Sequence, residues 1–140
     1  MRKREMLLAS AFLAIATTGS SQRNAKAEAC FSLGSHVEAR ACLEARFKAT
    51  DVVLREQEVA CDKAISTWDE AAEVRKRTKS AFADTGRAFR QYRSAQCDLQ
   101  AVLAAGGTGA QDRRLMCAIE LNEQRINYLQ EIRTSIGAPR

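Results

Sequence analysis

Ser35-His36-Val37-Glu38-Ala39-Arg40-Ala41-Cys42-Leu43-Glu44-Ala45-Arg46-Phe47, running on to Trp68, is the stretch that decides the fold. No glycine or proline occurs between Gly34 and Gly86, and alanine, glutamate, arginine, leucine and lysine dominate, all strong helix formers. Ser35 followed three residues later by Glu38 has the form of a capping box, in which the two residues satisfy each other's free backbone donors. Phe47, Leu54, Cys61 and Trp68 then recur every seven residues, with Leu43, Ile65 and Ala72 on the same side. That is one apolar stripe of an amphipathic helix.

One helix through the whole interval would be roughly 75 Å long at 1.5 Å per residue, more than the rest of the chain can cover, so a break is expected. The cluster Arg75, Lys76, Arg77 and Lys79 suits a helix C-terminus, where cations meet the negative end of the helix dipole, and Ser80 then caps the next helix. Thr67-x-x-Glu70 is a rival start signal about ten residues earlier. The second helix is expected from about Ser80 to Ala104, with Phe82, Phe89, Leu103, Tyr92 and Leu99 as its stripe. Gly86 inside it marks a close helix contact. After the loop Gly106-Gly107-Thr108-Gly109, a third helix runs from about Gln111 to Ser135. Its stripe is Leu115, Ile119, Ile126, Leu129 and Ile136, and Gly137 and Pro139 stop it. No alternating β pattern occurs. Three such helices bury their stripes only against one another, which predicts an all-α, small three-helix antiparallel bundle.

The N-terminus has the parts of a cleavable export signal: Arg2, Lys3 and Arg4, then the apolar run Met6–Ala16, then the small-x-small site Ala25-Lys26-Ala27. The run is shorter than the roughly 20 residues needed to span a bilayer. A signal peptide over 1–27 and a helical domain over 28–140 follow, with an earlier cut after Ser21 as the alternative; the location implied is periplasmic or secreted. The segment 1–27 holds five of the 22 basic residues and one of the 17 acidic ones. The chain of +5 therefore becomes a mature protein of 17 basic and 16 acidic residues, or +1, which removes the charge argument for nucleic acid.

All five cysteines lie in the mature part, which reads as a disulfide framework in an oxidising compartment. Two bridges among five cysteines allow fifteen arrangements. Local pairing suggests Cys30 with Cys42 and Cys97 with Cys117, the second pair flanking the glycine loop. Cys61 is left over, either as a small buried apolar group or as the site of an intermolecular bridge that makes a dimer. No CxxC occurs and the single histidine, His36, has no partner at helical spacing, so no metal and no cofactor are expected. That histidine is also too isolated to serve a nucleophile. The carboxylate pairs Glu56/Glu58 and Asp69/Glu73 are the solvated partners of a charged helix face. The loop GGTG lacks the GK[ST] ending and preceding strand of a phosphate loop. Nothing argues for an enzyme.

Phe89-Arg90-Gln91-Tyr92-Arg93-Ser94-Ala95-Gln96-Cys97, the loop Gly106-Gly107-Thr108, and Cys117-x-x-x-Leu121-x-x-x-Arg125-x-x-x-Leu129 together resemble the LprI-like lysozyme-inhibitor family. Its pattern is approximately W-x-x-Y-R-x-x-x-C, a GGS-type loop, and C-x-x-x-L-T-x-x-R-x-x-x-L. Cys30, Cys42 and Asp51-Val52-Val53-Leu54 look like its paired N-terminal cysteines and D-x-x-L-N segment. Phe89, Gly86, Arg55 and Asn122 depart from the usual tryptophan, glutamine, asparagine and threonine, and Cys61 is extra. The resemblance implies an exported helical domain that blocks a lysozyme by protein–protein contact and supplies no catalytic residue. The alternative is a structural or adaptor module of the cell envelope. Phe89, Tyr92, Arg93, Gly106, Gly107 and Arg125 are the motif positions available to a partner. With Cys97 and Cys117 bonded, Arg93 and Arg125 fall near one end of a helix pair. There they either tie helix carbonyls or an acidic group such as Asp51, or they meet the partner. Many lysozymes are strongly basic, so a local acidic patch such as Asp69, Glu70 and Glu73 would have to supply the attraction that +1 overall does not.

Overall fold

The computed structural model describes residues 27–137. The expected export signal, apart from Ala27, lies outside these residues, as does Pro139. A short 3-10 turn at Ala29–Ser32 precedes three long helices: α1 (His36–Ser66), α2 (Ala72–Val102) and α3 (Ala110–Gly137). Among the described residues there is no strand.

Ser35 caps α1 as its sequence suggested, its Oγ accepting the Glu38 N–H at 3.2 Å. The reciprocal half differs: the Glu38 carboxylate accepts from the Ser35 hydroxyl at 2.9 Å. The α1–α2 break falls at Thr67–Ala71, not beside Ser80. The basic cluster consequently opens α2 instead of closing α1. Its cations clamp the corner: Arg75 Nη1 donates to the backbone carbonyls of Trp68 and Glu70. Lys79 Nζ reaches Ser66 Oγ at 3.0 Å and Asp62 at 3.1 Å in the last turn of α1. These contacts satisfy carbonyls that a helix end leaves open, a stronger local demand than the dipole preference. Trp68, expected on the α1 stripe, sits in the corner beyond the helix end.

The bundle runs up, down, up. α3 packs chiefly on α1 and next on α2, while α1 and α2 touch least. α1 and α3 are parallel, in a register fixed by Arg40–Asp112, Thr50–Asn122 and Cys61–Leu129. α2 is antiparallel to both. One core cluster joins Ala27 and Cys30 to Leu43, Leu115 and Ile119. The other joins Leu54 and Cys61 to Ile126 and Leu129, with Phe82 and Phe89 of α2 packed against it. The α1 and α3 stripes are therefore buried as expected.

The α2 stripe is buried in part only. Over 31 residues α2 fully buries just Gly86 and Cys97, whereas Tyr92, Leu99 and Leu103 are exposed. Their half of the helix meets α3 through the Cys97–Cys117 disulfide, and α1 does not reach across to cover them. Gly86 does not mark a backbone contact: a Cβ there would meet only the flexible ends of Glu58 and Arg90, at 3.5 Å or more. The α2–α3 loop turns on two left-handed residues, Ala105 (φ 52°) and Gly106 (φ 75°), of which only glycine adopts that backbone without cost.

Both expected disulfides form, Cys30–Cys42 with Cα atoms 5.7 Å apart and Cys97–Cys117 at 5.4 Å. Cys61 is fully buried, its thiol donating to the Leu129 carbonyl at 3.1 Å. A sulfur so enclosed cannot reach another chain while α1 and α3 stay together, so the structure gives the disulfide dimer no support.

Candidate functional site

Arg93 stands where the three helices meet. Its Nη1 donates to Asp51 Oδ1 of α1 at 3.0 Å and to Asn122 Oδ1 of α3. The Asn122 amide, with no exposure, donates in turn to Thr50 Oγ1 at 3.2 Å. The guanidinium lies 5.7 Å from the centroids of both Phe47 and Phe89. Phe89 is shared, because Arg125 lies 5.7 Å from the same ring and 5.6 Å from that of Tyr128. Arg125 Nη2 donates to Thr85 Oγ1 at 2.8 Å, while its Nε is buried without an acceptor. The motif residues Phe89, Arg93 and Arg125 are thus brought together as a stack of alternating cation and ring, contacts worth about 0.5–2 kcal/mol each according to their desolvation. Arg93 takes the tying role, with Asp51 as its acid.

Tyr92 turns the other way, to the surface, and Gly106 and Gly107 shape an exposed loop remote from the stack. That loop is held by a group the sequence reading passed over. Asp112, buried at the start of α3, has Arg40 Nε at 2.6 Å and His36 Nε2 at 2.7 Å. Arg40 also donates to the Thr108 carbonyl at 2.8 Å. Asp112 was legible only as a first-turn acid, since its partners lie more than seventy residues away.

On the surface between α2 and α3, Tyr92, Gln96, Gln100, Arg113, Glu120 and Gln124 line an open groove of about 460 Å³. It continues past Gln124 to Asn127, Tyr128 and Glu131. The acidic patch expected at Asp69, Glu70 and Glu73 lies at the α1–α2 corner among Arg75, Lys76, Arg77 and Lys79, where cations dilute it. Among the described residues no group of His, Cys, Asp and Glu is placed to hold a metal, and no helix is long and apolar enough to cross a membrane.

The family model described as lysozyme inhibitor LprI matches residues 16–129, which include α1, α2 and most of α3. The chain belongs to the LprI lysozyme inhibitor family. Within this LprI-family bundle the matched region holds both disulfides and the Arg93–Phe89–Arg125 stack, and the family is one of inhibitors, not enzymes. No curated protein and no solved structure matched the chain.

Proposed function

We propose that this LprI-family protein is exported and inhibits a lysozyme by direct contact, without catalysis or cofactor. The observation that carries the reading is the family match across the whole helical core. The rigid scaffold supports it: two disulfides and a buried arginine network hold helices whose outer faces stay open, as a preorganised binder requires. Titrating the mature protein in stoichiometric excess into a panel of lysozymes is expected to lower the lytic rate of at least one. Unchanged rates throughout would sink the proposal.

Export carries a cleavage site. Ala27 is 3% exposed and packs with Cys30, Leu43 and Leu115, so removing it would open the first core cluster. The cut is accordingly placed after Ser21 and not after Ala27. Intact-mass measurement of the exported protein is expected to give a chain beginning at Gln22; a chain beginning at Glu28 refutes the placement.

A further inference from the structure

The sequence contains two tyrosines, Tyr92 and Tyr128, and both line the groove between α2 and α3, each about half exposed. Between them run the amides Gln96 and Gln124. Tyrosines beside adaptable amides are the chemistry of protein-binding surfaces, because the rings supply large area at low entropic cost and the amides hydrogen-bond in either sense. A small-molecule site would be concave and mostly apolar, and this groove is long, open and polar.

Charge narrows the partner. Six acidic side chains in the bundle, Asp51, Glu58, Asp62, Asp84, Asp98 and Asp112, are matched to arginine, lysine or histidine. Glu120 and Glu131 in the groove are in no ion pair among the described residues; Glu120 accepts only a neutral hydrogen bond from Gln124, at 3.2 Å. Arg113 closes the groove at its disulfide end, and Arg125 is turned inward onto Phe89 and Thr85. Two uncompensated carboxylates therefore flank the tyrosines on a protein of almost no net charge, a local complement to a cationic surface.

We infer that the α2–α3 groove, through Tyr92, Tyr128, Glu120 and Glu131, is the surface that grips a cationic lysozyme. This rests on the proposed inhibitory function and assigns it a place. The buried arginines then act behind the surface, Arg125 setting the Tyr128 ring and the Cys97–Cys117 bridge fixing the two helices at one spacing.

The test measures inhibition of, and direct binding to, a cationic c-type lysozyme, with other lysozymes alongside, using full-length protein exported and processed by its host. Tyr92→Ser with Tyr128→Ser, and separately Glu120→Lys with Glu131→Lys, are expected to weaken both readouts about tenfold or more. The lysine pair should also flatten the dependence of association rate on salt. Glu44→Lys with Glu56→Lys makes the same charge change on exposed α1 and is expected to stay within about twofold. Circular dichroism melts verify that every variant is folded. Groove variants that inhibit like the wild type overturn the groove and leave the inhibitory function standing. An α1 control that weakens as much as the groove pair also overturns the groove, since net charge alone would then explain the loss. Wild type that inhibits no lysozyme overturns both.

Discussion

Asn122 is an amide with no exposure at all, and its burial depends on Arg93 and Thr50. Removing the arginine and removing the amide are not equivalent. Arg93→Ala strands the Asn122 oxygen inside the bundle, leaves Asp51 with the exposed Arg55 alone, and vacates the space between two rings. Asn122→Leu keeps the volume and leaves Arg93 its carboxylate. The first change is expected to cost about 3 kcal/mol and the second about 1 kcal/mol. The double variant should cost clearly less than their sum, because the stranded oxygen is then gone. Urea denaturation of the three variants checks this, and strictly additive losses would contradict the network. Cys61 offers a second residue-scale prediction. Burial pushes its thiol pKa up, only partly offset by Arg133 and Arg125. The unfolded chain releases this proton more readily than the folded one. The stabilisation from keeping it bound is therefore whole below the ordinary thiol range and is lost as pH rises above it. Between about pH 7 and about pH 10 the urea midpoint should fall for the wild type and fall less for Cys61→Ala. Equal slopes would show that the thiol does not contribute.

Among the elements, α2 is the one held differently. α1 and α3 are joined along their length by apolar stripes, but the C-terminal half of α2 depends on the bridge at Cys97. Replacing Cys97 and Cys117 by serine is expected to cost about 3 kcal/mol by the chain-entropy account. It should also raise hydrogen exchange selectively in residues 92–102, with α1 and α3 protected as before. Uniform loss of protection would mean that α2 is packed as tightly as its neighbours. The same asymmetry explains what could be read from sequence. The α1 and α3 stripes were legible because burial there follows helical period. Tyr92, Leu99 and Leu103 share that period but have no helix opposite them, and a period cannot report whether a partner is present. The α1–α2 corner was misplaced because the dipole preference for Arg75–Lys79 is weaker than the hydrogen bonds these side chains make to the corner and the preceding helix. The disulfides were legible from loop length, whereas the acids that hold Arg40 and Arg93 are defined by tertiary contact alone. For the same reason the motif residues were visible in a line of sequence while their division into a buried stack and an exposed tyrosine was not.

For the molecule as a whole, the contacts that define it join residues far apart in the chain: Arg40 with Asp112, Thr50 with Asn122, Gln57 with Arg133. Neither disulfide shortens that path, since each closes a local loop of 12 or 20 residues. The longest helix pairing in the bundle must therefore be closed against the full entropy of the intervening chain. A protein synthesised from its N-terminus emerges with α1 apolar along one side and its parallel partner still unmade. A chain ending at Val102 is expected to stay expanded and to bind a hydrophobic dye, with near-random circular dichroism; a cooperative melt from that fragment would refute the expectation. The parallel pairing of the first and last helices thus makes folding post-translational, leaving the nascent chain in need of shelter until its final helix is complete.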